Sequence, residues 1–224
     1  MGQYRISELG LEIKTKSQTL LKNLEPFATT FDYKPNLTLS ITDDILLQLM
    51  DEYEGYTADI IECEYLTTEF ARALFDFNGF PIKAAAVDCD DCAVLVAAPF
   101  EETDVASLLP SDKIFTVDAP AIRLINEVFY AYGTPFGVYG DKARDIKLPV
   151  KSIVFVDKQR FGELKRIDSK EMVVMFLRAV YHSMRSERTK HTLFMLEKVM
   201  RKVNIYGVGD LSDVDSILKE VTDN

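Results

Sequence analysis

The stretch Phe80–Gly137, FPIKAAAVDCDDCAVLVAAPFEETDVASLLPSDKIFTVDAPAIRLINEVFYAYGTPFG, decides the fold. Two short apolar runs rich in small residues open it, Ile82–Val87 and Ala93–Ala98. Such runs suit strands covered on both faces. Asp90-Asp91 between them fits a two-residue hairpin turn. The loop Pro99–Asp104 follows, then a helical stub over Val105–Leu109 that Pro110 interrupts, then a strand over Lys113–Val117. Ala121–Ile125 and Val128–Tyr132 read as a second hairpin, turning at Asn126-Glu127.

Upstream, Gln3–Ile6 and Leu9–Ile13 alternate at period two around a turn at Glu8–Gly10, and Leu20, Leu21 and Leu24 repeat at helical spacing before Pro26. Leu37, Leu39 and Ile41 alternate as a strand. Thr42 is an expected N-cap, with Asp43 and Asp44 in the first turn and Ile45, Leu46, Leu49 and Met50 on the buried side. A helix from about Thr68 to Phe77 ends at Asn78-Gly79. Downstream, Ser152–Val156 is an apolar strand and Glu163–Ile167 is expected to pair with it. Asp168 and Glu171 open a helix with Met172, Val173, Phe176, Leu177 and Val180 inward. A further helix presents Leu193, Leu196, Met200 and Val203, Asn204–Val208 is a strand, and Asp210 or Ser212 caps a last helix. Strands and helices alternate through most of the chain, which predicts an α/β fold with a mixed β-sheet and flanking helices.

The 224 residues are enough for one sizeable core, and 47% apolar with 28% charged is an ordinary globular balance. A single domain is expected, residues 1–65 as an N-terminal β-rich extension and 66–224 as the core. The net charge of -10 and pI near 4.8 argue against nucleic acid and anionic membranes as partners, because both need Lys and Arg to neutralise phosphate. Neither a signal peptide nor a membrane span is expected. Three cysteines do not make a disulfide framework and predict a reducing, cytoplasmic setting.

Five phrases match in order more than periodicity explains: FDFNGFPIKAAAV (75–87), LVAAP (95–99), APAIRLI (119–125), YAYGTPFG (130–137) and VNIYGVGDLSDVDSI (203–217). Together they resemble a group of bacterial proteins with the HPr kinase/phosphoenolpyruvate carboxykinase-like P-loop fold, kinase-like proteins mostly of unknown role. The similarity runs from QYRISELGLEI at residue 3 to the last helix. The resemblance implies a phosphate-binding loop after the strand ending at Ala98, and here its motif is degenerate. Setting Ala98-Pro99 on the family's Ala-Pro, the two glycines fall on Glu101 and Thr103, with Glu102 between them. The lysine falls on Asp104 and the magnesium-binding hydroxyl on Val105. The paired aspartates fall on Val117 and Asp118, and the histidine of the preceding strand on Lys83.

These replacements remove the chemistry. A P-loop needs glycines so that its backbone can approach phosphate, and a lysine to reach the β- and γ-phosphates. At an effective dielectric near 20, a unit charge about 5 Å from a phosphate charge contributes roughly 3 kcal/mol. Turning that attraction into repulsion at Asp104, with Glu101 and Glu102 beside it, erases most of a micromolar affinity of about 8 kcal/mol. ATP is therefore not expected to bind, and no cofactor is expected. The leading expectation is a pseudo-kinase scaffold that binds a protein or peptide. The alternative is a diverged phosphotransferase or small-anion enzyme using Lys83, Lys113, Asp118 and Arg123. Asp118 is the surviving candidate metal ligand, with capping or pairing to Arg123 as its competing structural role.

Other chemistry carries less. Cys89 and Cys92 form a lone C-x-x-C in an acidic turn, and zinc would need two more ligands, whereas His182 and His191 lie far along the chain. Two small residues flanking a turn is the simpler account. Glu101, Glu102, Asp104 and Asp118 could hold Mg²⁺ or Ca²⁺ if the loop folds back, but carboxylates at a helix N-terminus are favourable without an ion. The basic set Arg185, Arg188, Lys190, Lys198, Arg201 and Lys202 is interrupted by Glu187 and Glu197 and reads as a solvated helical face or a docking surface.

Overall fold

The computed structural model describes residues 1–100, 104–137, 143–181 and 186–223. In chain order its elements are β1 (Gly2–Ile6), β2 (Leu9–Lys14), α1 (Gln18–Leu24), β3 (Leu37–Ser40), α2 (Asp43–Glu52), α3 (Ala58–Leu74), β4 (Gly79–Pro81), β5 (Ala85–Cys89), β6 (Cys92–Ala97), β7 (Ile114–Thr116), β8 (Ala121–Ile125), β9 (Val128–Tyr132), β10 (Lys147–Val156), β11 (Lys165–Arg166), α4 (Ser169–Ala179), α5 (Ser186–Lys202), β12 (Asn204–Val208) and α6 (Val214–Asp223). The α/β class with mixed sheets and flanking helices is as expected.

Among the described residues the strands form two sheets. The small one has the order β1-β2-β3, with β1 and β2 antiparallel and β2 and β3 parallel. The large one runs β4-β8-β9-β10-β6-β5-β7, with β12 on β10 and β11 on β12. β10 serves two groups of strands. Its first residues, Lys147–Pro149, pair antiparallel with β9, and its later ones pair parallel with β6 on one side and β12 on the other. The register with β6 shifts between Val150 and Ser152, just after the proline that cannot donate to a ladder.

β6 and β10 are buried on both faces. Ala93, Leu95, Ala97, Ile153 and Phe155 point into one apolar layer, roofed by Met172, Met175 and Phe176 of α4 and Met195, Leu196 and Val199 of α5. Val94, Val96, Val154 and Val156 point into the opposite layer with Leu218 and Val221 of α6. The strand period of two sends alternate residues to the two faces. A third apolar cluster joins the small sheet to Leu20, Leu24, Leu66 and Phe70, with Ala121 and Tyr132 of the large sheet.

The expected hairpins form. Asn126 and Glu127 take φ of 48° and 65°, and Ser7 and Glu8, one residue earlier than the expected turn, take 53° and 64°. Positive φ at both central residues is the two-residue hairpin geometry whose twist matches the strands. Asp90, at φ 63°, turns the β5–β6 hairpin, where Cys89 and Cys92 are register partners.

Five expectations are corrected. The helix expected from Thr68 begins at Ala58, capped by Thr57. Thr67 sits in its middle because its hydroxyl donates to the Cys63 carbonyl one turn back, at 2.8 Å. α2 buries no residue fully, and Ile45 and Met50 are exposed. β11 pairs with β12 and not with β10, whose two edges are already taken. Leu193 is exposed and Met195 buried on α5, while Asp213, rather than Asp210 or Ser212, accepts the Ser216 N–H at the start of α6. None of the helices described is long and apolar enough to cross a membrane.

Candidate functional site

The carboxyl ends of the parallel strands β6, β10 and β12 lie along one edge, where α/β sheets place their ligands. β5 and β7 run antiparallel to their neighbours, so the start of β5 and the end of β7 reach the same edge. Lys83 and Asp118 therefore arrive beside the loop that leaves Ala97.

Asp104 caps the chain that follows. Its Oδ1 accepts the Ala106 N–H at 3.1 Å, and its backbone carbonyl accepts the Ser107 hydroxyl at 2.7 Å. The helical stub is a single 3-10 turn, Val105–Leu108, and Val105 is buried in the apolar layer with Val94 and Val117. The Asp104 carboxylate is thus spent on an N–H of its own chain. Glu101, Glu102 and Thr103 lie outside the described residues, as does His182. Phe100 stacks between two guanidinium groups, Arg160 at 4.6 Å and Arg178 at 5.4 Å from the ring centre. Arg160 is in turn held by the buried Asp157 at the end of β10, at 3.0 Å.

Asp118 has a left-handed backbone, φ 75°, which aspartate tolerates better than most residues. The Tyr181 hydroxyl donates to its Oδ1 at 3.0 Å. Tyr181 is brought there because the chain at the end of α4 pairs with the chain leading into β5: Lys83 N donates to Ala179 O, and Tyr181 N donates to Pro81 O. The Lys83 ammonium then lies over the Tyr181 ring at 5.2 Å. Gly137 presses on the other side of Asp118. It has φ 98°, and a Cβ there would meet Asp118 Oδ2 at 2.7 Å. The Gly137 N–H donates to Thr67 Oγ1 at 3.1 Å and its carbonyl accepts from the Cys63 thiol at 3.6 Å, so α3 fixes the same corner.

Burial, the Asp118 charge and the Glu64 charge all keep the Tyr181 phenol protonated, far above its ordinary range. Burial first and then Asp118 hold the Glu64 carboxyl above its usual value, with Lys83 opposing. Burial, followed by the charges of Glu64, Asp59 and Asp118, pushes the Cys63 thiol up to about 12. The corner is anionic, with one phenolic donor and one ammonium at its rim.

The four residual candidates do not converge. Lys83 and Asp118 share the corner, but Lys113 precedes β7 while Asp118 follows it, roughly 15 Å away along an extended backbone. Arg123 does not pair with Asp118. Its Nε donates to Phe77 O at 3.2 Å and its terminal nitrogen to Ser7 O at 2.5 Å, so it clamps the β1–β2 turn onto β8. Arg123 is five residues past the left-handed turn at Asp118, paired through β8 with β4, and this carries its side chain toward the small sheet. Glu8 closes the same clamp, accepting from Tyr132 at 2.7 Å and Lys147 at 2.8 Å.

Sequence reading missed Glu64, Tyr181, Cys63, Thr67 and Gly137 as members of the corner. Gly137 alone carried a signal, as a glycine closing the Pro135-Phe136-Gly137 phrase. Cys89 and Cys92 face each other across their hairpin, with the Cys92 thiol donating to Cys89 O at 3.6 Å, and no set of three or more His, Cys, Asp or Glu is arranged to hold a metal among the described residues. No protein-family model matches the sequence, and no curated protein matches it.

Proposed function

We propose that this chain is a non-catalytic binding or regulatory module on an HPr kinase-like scaffold, a pseudo-kinase that takes a protein or peptide partner in the reducing cytoplasm. The observation that carries the reading is the Asp104 carboxylate on the Ala106 N–H, with Val105 packed in the core where a magnesium-binding hydroxyl would stand. A loop whose cation has become its own cap lacks the charge that phosphate needs, and the Ala106 N–H is already taken. The separation of Lys83, over the Tyr181 ring, from Arg123, on the carbonyls of Phe77 and Ser7, supports the same reading, because the two do not face one point at which a small anion could be held.

The test is thermal denaturation of the purified protein with Mg-ATP, Mg-GTP, inorganic phosphate and phosphosugars, paired with an ATP turnover assay. A ligand at about 100 times its dissociation constant adds about 2.7 kcal/mol of stability, a readily measured shift. No shift and no turnover are expected. Turnover that disappears in Asp118→Ala would overturn the proposal.

A further inference from the structure

Helix α2 is only lightly buried, and it has an apolar face. It buries no residue, and Leu47, Tyr53 and Tyr56 are 60%, 50% and 61% exposed. Between α2 and the first turns of α3 lies a groove of about 600 Å³ lined by Leu49, Tyr53, Tyr56, Ile60, Ile61 and Tyr65. Contiguous exposed apolar surface of this kind marks an interaction site. Tyr is also the residue most suited to such surfaces, offering a large ring and a wet hydroxyl.

Charge says what covers it. From Asp43 to Tyr65 the chain carries eight carboxylates, Asp43, Asp44, Asp51, Glu52, Glu54, Asp59, Glu62 and Glu64, and no lysine or arginine. Asp59 and Glu62 are used internally, on α1 and on the Lys16 N–H, and Asp43 is paired with Lys16. Glu52, three residues past Leu49 on α2, and Glu54, between the groove-lining Tyr53 and Tyr56, are exposed. Arg72, which also lines the groove, is held by Glu69. A second copy of the chain is a poor occupant. Two such faces would meet like charge with like in a symmetric dimer, and Lys198, Arg201 and Lys202 on α5 are already paired with Glu127 and Glu197.

We infer that the α2–α3 groove docks a basic amphipathic helix of another protein, its apolar stripe on Leu49, Tyr53, Tyr56 and Ile60 and its lysines or arginines over Glu52 and Glu54. α2 is ten residues long, about 15 Å, which matches a ligand helix of three turns with anchors at i, i+3, i+4 and i+7. The acidic rim speeds encounter and rejects acidic helices. This rests on the reading of the chain as a binding module and names its partner's chemistry.

The experiment uses the full chain and two fluorescein-labelled 18-residue peptides with the same leucine stripe, one with lysine and one with glutamate on the polar face, followed by anisotropy at 50 and 300 mM salt. The lysine peptide is expected to bind, at least tenfold more weakly at high salt, and the glutamate peptide not at all. Leu49→Ser with Tyr56→Ser should weaken binding at least tenfold. Glu52→Gln with Glu54→Gln, on exposed positions that leave the packing intact, should weaken it and flatten the salt dependence. Asp90→Asn with Asp91→Asn, on the remote acidic hairpin, should change it less than twofold. Failure of the lysine peptide to bind, equal loss in the groove and hairpin variants, or a concentration-dependent dimer in sedimentation would overturn the inference. None of these reagents touches residues 98–118, so such a failure leaves the nucleotide test standing on its own.

Discussion

The Tyr181 hydroxyl holds Asp118 Oδ1 at 3.0 Å, joining the chain just beyond α4 to the chain just beyond β7. The candidate metal ligand Asp118 is here a structural acceptor on a left-handed backbone. Tyr181→Phe leaves a half-buried carboxylate without its donor and should cost about 1–3 kcal/mol in urea denaturation. Asp118→Gly should be more stable than Asp118→Ala by about 1 kcal/mol, because glycine adopts φ 75° without a Cβ penalty. An alanine variant equal to the glycine variant would remove the backbone from the explanation.

Glu64 makes stability depend on pH. Its folded-state value lies above the ordinary one, through burial first and the Asp118 charge second, so the folded state takes up this proton more readily than the unfolded chain. The contribution is fully present below the usual glutamate range and is lost as pH rises through the raised value. Glu64→Gln should therefore flatten the fall in melting temperature above the ordinary carboxylate range, and the two proteins should converge in acid. A parallel pair of profiles would rule out Glu64 as the source.

Asp59 has the opposite sign. Burial works against its charge, but hydrogen bonds from Thr19 and Ser17 and the N–H groups of Gln18 and Thr19 outweigh burial and hold the carboxyl below its usual value. This clasp between α1 and α3 adds stability above the ordinary aspartate range, and that stability is lost as pH falls through the depressed value. Asp59→Asn should be destabilised at neutral pH and should approach the unmodified protein in acid, as read by the melting temperature.

The thiols should be slow. Burial pushes Cys63 up to about 12 and Cys89 up to about 11, against an ordinary 9.0. At pH 8 the thiolate share at Cys89 falls about 100-fold and at Cys63 about 1000-fold, before access is counted. Disulfide-exchange reagents should label Cys63 only through opening of the fold, at a rate that tracks stability in low urea. Prompt labelling of Cys63 in the native protein would show the corner to be open.

Gly133 is the least replaceable glycine among the described residues. A Cβ there would lie 1.8 Å from the Arg144 carbonyl oxygen, a backbone atom locked by the Arg144 N–H on Phe115 O at 2.9 Å. Gly133→Ala should cost about 3 kcal/mol or more, at the high end for overpacking, measured by calorimetry. Gly55, with open space around it, tolerates a side chain sterically and loses mainly through its positive φ of 93°.

The hairpins and the doubly buried strands were legible because their signals are local. Asp90-Asp91 and Asn126-Glu127 need only two residues of turn chemistry, and the alternating faces of β6 and β10 are written into runs such as Ala93–Ala97. The face of α2 was misread for the same reason. Ile45, Leu46, Leu49 and Met50 have helical spacing, but spacing cannot say whether the surface opposite them exists within the chain. Asp104 as a cap was legible from its place before the stub, and the corner at Asp118 was not. Glu64, Tyr181 and Gly137 come from α3, the end of α4 and the loop after β9, and only tertiary pairing of Lys83 and Tyr181 with their neighbours brings them together. Arg123 was assigned to the wrong partner because the sequence holds no trace that the β1–β2 turn would come to meet it.

β10 is emitted late in synthesis, and two earlier strands wait for it. β6 pairs with β5 on one edge and β9 with β8, so the nascent chain carries two half-finished ladders until Lys147–Val156 leaves the ribosome and fills both vacancies at once. Open edges recruit other strands. The interval between the emergence of Tyr132 and that of Val156 is consequently when this protein is most exposed to misassembly, and a chain stalled there would be the form that most needs a chaperone.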